Sequence, residues 1–517
     1  MASPKYNCLF LFLMGFYALH VSAQNQNPSI QYVVSVPKSA AHYFHVELSY
    51  ETTSNETLLL KLPKWMPGYY QLMNYADNIE KLSAYAGNTP VPVQKLNDNT
   101  WQIPAVKKKL RVSYDVKADR NFVANSYIDT THGYIICGSL FFYINKRLDL
   151  PVSIKINLPP SWHTIATGLE AIAGKTNEFK APDFDILYDC PILMGNLEEL
   201  SSFSIKGINH RFIGYKLGNF DKPRFISSLQ KIVESATNII GDIPYKQYTF
   251  IAIGPGRGGI EHLNNTTFGF DGNELKSAEA INRMMNFLAH EYFHHYNVKR
   301  IRPFELGPFD YDRENRTNLL WVSEGLSVYY EYMLVKRAGI ADDKTLLSDF
   351  ENNLNSFENS PGRLYQSLTQ SSYETWSEGP FGKSSKDADK SISYYEKGPL
   401  VGLILDFAIR HESANNKSLD DVMRLLYRKY YQQLHRGFTD AEFQNACEEI
   451  AGTSLQDVFE YVYTAKEIDY NHYLGYAGLS VHEEKDTTTG KPRWRLIKTD
   501  HPDSLQQSVY QSWMGNN

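Results

Sequence analysis

No stretch of this chain limits its possible folds as tightly as Ala289 to Pro303, AHEYFHHYNVKRIRP, which sets His290-Glu291-x-x-His294 inside a helix-forming run. Histidines one turn apart stack on one helix face, so both imidazoles can reach a single ion. Glu291 then sits beside that ion rather than on it. The pattern points to one zinc, and a catalytic zinc takes three protein ligands and leaves a fourth position open. The helix is expected to start near Ser277, a good N-cap, with Ile281, Met285, Leu288 and Tyr292 as its core stripe and the two histidines alongside.

Three downstream carboxylates compete to be the third ligand. Glu305 follows Pro303 in an extended turn, and Glu314 has a spacing that suits a thermolysin-type enzyme but falls in the polar loop Asp310 to Asn318. Glu324 lies in Trp321-Val322-Ser323-Glu324-Gly325, early in a helix expected over Leu319 to Arg337 and interrupted at Gly325. A ligand belongs on a rigid element, which selects Glu324 and leaves Glu314 as the alternative. A metzincin is excluded, because Asn297 and Arg300 stand where Gly and His are required. With three ligands in place the chemistry is hydrolysis, with Glu291 as the general base. The tetrahedral oxyanion then needs a donor. Tyr395, in Tyr394-Tyr395-Glu396-Lys397-Gly398, is the candidate, a packing tyrosine being the plain alternative. Glu331, two turns past Glu324, is a candidate partner for the outer nitrogen of a ligand histidine; a solvent-facing Glu is the other reading.

Residues 1–23 read as a signal peptide, with Lys5, an apolar run from Cys8 to Leu19, and a Val21-Ser22-Ala23 cleavage site. The apolar run is shorter than the roughly 20 residues of a spanning helix, so the expectation is an exported protein, periplasmic or secreted, with no membrane span. Lys plus Arg is 52 against Asp plus Glu 58, spread along the chain, which excludes a nucleic-acid surface. Beyond the signal, Cys137, Cys190 and Cys447 permit at most one disulfide, Cys137 to Cys190 being the favoured pair, with buried inert thiols the preferred reading.

Residues 24–208 alternate in short strand-like runs such as IQYVVSV, YFHVELSY, YIICGSLFFYI and VSIKINLP, which argues for an antiparallel β domain. Within it, Leu62 to Tyr70, LPKWMPGYY, is a rigid turn under a core Trp or a domain contact. Residues 209–338 open with a helix around Lys222 to Ile240 and a strand at Tyr248 to Ile253. The glycine run from Gly254 to Gly259 follows and lacks the Lys-Ser/Thr of a phosphate loop, so an edge strand fits better. Residues 339–470 turn helical, with Val401 to Ile409 and Leu419 to Gln432 the clearest pieces, after a surface loop expected over Ser371 to Lys390. Residues 471–517 are expected to form a short tail with one strand, Arg493 to Ile497, and no core of their own.

Six segments together resemble the glycyl aminopeptidase family of gluzincin metallopeptidases, distant relatives of aminopeptidase N: LPKWMPGYY, GGIEH from Gly258, HEYFHHYNVKRIRP from His290, ELGPFDYDREN, LLWVSEGLSVYYEY from Leu319 and YYEKGPLVG from Tyr394. The resemblance implies an α+β multidomain chain: an N-terminal β domain, a thermolysin-like zinc catalytic domain and a helical domain. It implies zinc ligation by His290, His294 and Glu324, and supports the roles of Tyr395 and Glu331. It also implies that Gly258-Gly259-Ile260-Glu261 binds substrate, with Glu261 holding its free α-amino group. The implied activity is release of N-terminal Gly or Ala from peptides; an endopeptidase and a non-catalytic peptide-binding protein are the alternatives. Family members commonly end in a PDZ domain, and the residues after Leu474 are too few for one, so that domain is either absent or cut off.

Overall fold

The computed structural model describes residues 29–515 apart from 38–41, 52–55, 107–108, 380–387, 486 and 488–489. The expected signal peptide lies outside the described residues.

Alternation of apolar and polar residues in Ile30–Ser35, Tyr43–Glu51 and Lys109–Lys117 buries every second side chain, as a sheet with one covered face requires. These strands are central in an eight-stranded sheet. Its pairs are antiparallel except one: Ile30–Ser35 runs parallel to Val152–Asn157. Two four-stranded sheets complete the β domain. The run YIICGSLFFYI is not one strand, because Cys137–Leu140 forms a helical turn between His132–Ile135 and Tyr143–Ile144. Cys137, Cys190 and Cys447 are buried and free. Cys137 donates its S–H to the Cys190 carbonyl at 3.0 Å instead of pairing with its sulfur, and burial pushes both thiols up in pKa.

A second sheet carries Ile208–Gly214, Gln247–Ala252, Asn265–Phe268 and, at one edge, Gly259–Glu261. Glu198–Glu199 and Phe203–Ile205 pair with Ile208–Gly214, so this sheet recruits strands from within the span assigned to the first domain. One face buries Ile213, Ile251 and Ile260 in the core of the β domain. The other face, with Phe212, Phe250 and Phe268, packs under the helices Lys222–Ile240 and Ala278–Phe293.

The helical region shares that core rather than forming its own. Leu326–Arg337, Tyr394–Glu412 and Leu419–Leu426 contribute to the same continuous cluster. The C-terminal tail is docked, not coreless: Leu479–Lys485 and Pro492–Lys498 form a hairpin, and Trp513 is fully buried edge-on against Phe407 at 5.0 Å. The loop expected over Ser371 to Lys390 is a helix in its first half, Leu368–Glu378, started by a Ser367/Gln370 capping box. Its small polar residues Ser371, Ser372 and Thr375 are buried rather than solvated. Among the described residues no helix is long and apolar enough to cross a membrane.

Candidate active site

Ser277 caps the helix Ala278–Phe293 by accepting from the Ala280 N–H at 3.2 Å. Ile281, Met285, Leu288 and Tyr292 are buried as the periodicity predicts. The last turn is buried on all sides, which takes His290, Glu291 and His294 out of solvent. The two Nε2 atoms face each other at 2.9 Å. Glu324 Oε2 lies 3.5 Å from His290 Nε2 and 3.2 Å from His294 Nε2. Among the described residues these three form the one group of donors spaced for a metal. Two imidazoles and a carboxylate converging on one point fit zinc, whose nitrogen and oxygen bonds are about 2.0–2.2 Å.

The outer nitrogens are held as ligand histidines require. His290 Nδ1 lies 2.9 Å from Glu331 Oε2, and His294 Nδ1 lies 2.8 Å from the Asn297 carbonyl. Asn297 in turn donates to the carbonyls of Val322 at 2.8 Å and Ser323 at 3.1 Å. Asn297, just past the end of the histidine helix, therefore also anchors the segment carrying Glu324. That segment, Trp321–Gly325, is a π-helical turn leading into Leu326–Arg337, a device often found at functional sites.

Glu314 and Glu305 are elsewhere. Glu314 pairs with Arg316 at 2.6 Å, and Glu305 accepts from the Thr317 hydroxyl at 3.0 Å. A cleft of about 1020 Å³ between the β domain and the second sheet, lined by Leu169, Phe179 and Lys246 among others, contains none of the convergent residues.

Tyr395, in the first turn of Tyr394–Glu412, donates to Glu324 Oε2 at 2.9 Å. Two glycines permit this. A Cβ on Gly398 would lie 2.6 Å from Gly325 Cα, so the helices cross at backbone contact and bring Glu324 and Tyr395 together. Glu291 is 6% exposed, and Thr266 donates to its Oε2 at 3.4 Å. A Cβ on Gly259 would lie 2.4 Å from Glu291 Oε1, so the edge strand can run this close only with glycine there. Gly258 has a left-handed φ of 86° just before that strand. Glu261 pairs with Thr266 across the two strands and is buried at 4% exposure. Its Oε1 has no protein partner.

Burial raises the Glu291 pKa to about 7, with Glu261 and Glu324 adding to it against the pull of the two imidazoles. Burial works the same way on Glu324, but there His294 and His290 outweigh it and hold the carboxylate well below its ordinary range. Burial disfavours a charge on His290, and the Glu324 and Glu331 carboxylates reverse the sign.

Two family models match: the Peptidase M61 N-terminal domain over residues 31–196 and the M61 glycyl aminopeptidase over residues 283–401. The chain belongs to the M61 glycyl aminopeptidase family. The crystal structure of an aminopeptidase N family protein from Idiomarina loihiensis superposes with a TM-score of 0.83 at 29% identity, covering 88% of this chain and 79% of that one. A search of curated proteins gives no significant match. The protein is accordingly a peptidase acting on peptide substrates.

Two participants escaped sequence reasoning. Asn297 was visible only as a break from the metzincin pattern. Tyr70, from the LPKWMPGYY turn of the β domain, is buried and donates to Glu324 Oε1 at 3.4 Å. Its signal was a dense aromatic turn, which local pattern assigns equally to packing.

Proposed function

We propose that this peptidase is a zinc-dependent aminopeptidase that removes small N-terminal residues, Gly or Ala, from peptides outside the cytoplasm. The observation that carries the aminopeptidase assignment is Glu261. A carboxylate at 4% exposure with an oxygen lacking any protein partner is costly unless a cation meets it. A peptide α-ammonium supplies that cation through a charge-assisted hydrogen bond. The preference for small residues follows the family's description as glycyl aminopeptidases, and export rests on the reading of residues 1–23.

His290, His294 and Glu324 would hold the zinc, which when bound polarises the scissile carbonyl and acidifies water. Glu291 takes the proton of the attacking water and delivers it to the leaving amine. The Tyr395 hydroxyl donates to the carbonyl oxygen as it becomes an oxyanion. Glu261 fixes the N-terminus so that the first peptide bond meets Glu291, an effect of orientation. Glu331 and the Asn297 carbonyl keep both imidazoles turned inward.

Peptides with free and with acetylated N-termini, offered to the zinc-loaded protein, test the assignment. Loss of cleavage on acetylation is expected. Equal cleavage of both would indicate an endopeptidase and remove the role of Glu261, and no cleavage of either would indicate a binding protein.

A further inference from the structure

The turn Leu62 to Tyr70 reaches across from the β domain into the catalytic half. Trp65 belongs to the core of the second sheet and helices, whereas Met66, next to it, belongs to the core of the β domain. Trp65 donates from Nε1 to the Asp310 carbonyl at 2.9 Å and packs edge-on against Trp376 at 4.9 Å. The Lys64 N–H donates to the Tyr311 carbonyl at 2.9 Å. So anchored, the turn meets both carboxylates that matter. Gly68, at φ 91°, backs onto Glu261: a Cβ there would stand 2.8 Å from Oε2 and 2.9 Å from Ile260 Cγ2. Tyr70 donates to Glu324 Oε1.

We infer that this turn is a positioning element of the active site, with Tyr70 orienting the third metal ligand and Gly68 setting the amine-binding carboxylate. The inference rests on the aminopeptidase reading above. The two tyrosines on Glu324 have different duties. Tyr395 holds Oε2, the oxygen facing both imidazoles, and must give up that bond to reach a substrate carbonyl. Tyr70 holds the opposite oxygen, which keeps the carboxylate from rotating while Tyr395 is engaged elsewhere. Gly68 acts by close approach. Its backbone fills the space behind Glu261, so the carboxylate cannot swing back into the β domain and stays aimed at the N-terminus. The catalytic half therefore draws part of its support from the β domain, through the aromatic turn that carries Gly68 and Tyr70.

Tyr70→Phe keeps the ring against Trp376 and removes only the hydroxyl. Zinc affinity, read by competition with a chromophoric chelator, is expected to fall about 10-fold or more with no change in melting temperature. A zinc affinity and a kcat both within two-fold of the parent protein would overturn the role of Tyr70. Gly68→Ala is expected to raise KM for Gly and Ala p-nitroanilides about 10-fold or more with zinc affinity unchanged, because the added methyl displaces Glu261 rather than the ligands. An unchanged KM in a folded Gly68→Ala protein would overturn the second contact, and if that variant does not fold, Tyr70→Phe decides alone. A parent protein that binds zinc but releases no N-terminal residues would end the aminopeptidase reading, while the chelator titration of Tyr70→Phe would still decide whether Tyr70 supports Glu324.

Discussion

Gly398→Ala is the sharpest probe of how this site is held together. The residue touches no proposed substrate and no metal ligand. Its added Cβ would stand 2.6 Å from Gly325 Cα and 3.4 Å from the Trp321 carbonyl. Ordinary carbon contacts are about 3.5–4.0 Å, so the helix carrying Tyr395 must move from the turn carrying Glu324 by about 1 Å. Neither side can yield by rotating a side chain, since both contacts are backbone. Overpacking of this kind costs about 1–3 kcal/mol of stability. A 1 Å misplacement of catalytic groups costs about 100-fold in rate, and the 2.9 Å contact between Tyr395 and Glu324 is the one that opens. The assay is kcat on Gly and Ala p-nitroanilides at saturating zinc, beside a denaturant titration and metal analysis. A folded variant with kcat within two-fold of the parent would show that the glycine crossing does not set the tyrosine.

Glu291→Gln should retain zinc by metal analysis and lose about 100- to 10,000-fold in kcat, the range for removal of a general acid–base. Glu324→Ala should lower the metal content, whereas Glu314→Ala should keep it, because Glu314 is committed to Arg316. Lys397 is fully buried, its amine over the Phe357 ring but without a hydrogen-bond partner, and burial lowers its pKa from 10.5 to about 8. The unfolded chain then binds the extra proton between those values, so stability rises with pH across that window. Lys397→Met should therefore stabilise the protein at pH 7 by up to about 3 kcal/mol, with the gain shrinking toward pH 10.5 in denaturant titrations.

The helix cap at Ser277, the apolar stripe from Ile281 to Tyr292 and the pairing of His290 with His294 were legible in the chain, because each depends on neighbours within a few residues. That Glu324 rather than Glu314 would lie against the two histidines was legible for a related reason: a polar loop such as Asp310 to Asn318 offers no rigid support. Ser371 to Glu378 misled because polar composition normally marks solvent, and here Ser371, Ser372 and Thr375 satisfy their hydroxyls on carbonyls of buried helix and core. The C-terminal residues misled because their apolar partners, Phe350 and Phe407, lie far upstream.

Local pattern thus sufficed to set the two histidines on one helix face with Glu291 beside them, since an i, i+4 pair on a helix carries its geometry within it. It could not show that Gly325 and Gly398 touch, that Asn297 ties the histidine helix to Glu324, or that Tyr70 reaches from the β domain to the opposite oxygen of the same carboxylate. Those contacts join residues up to 254 positions apart. They arise when separate apolar surfaces find a common core, and no spacing along the chain encodes which backbone will lie against which.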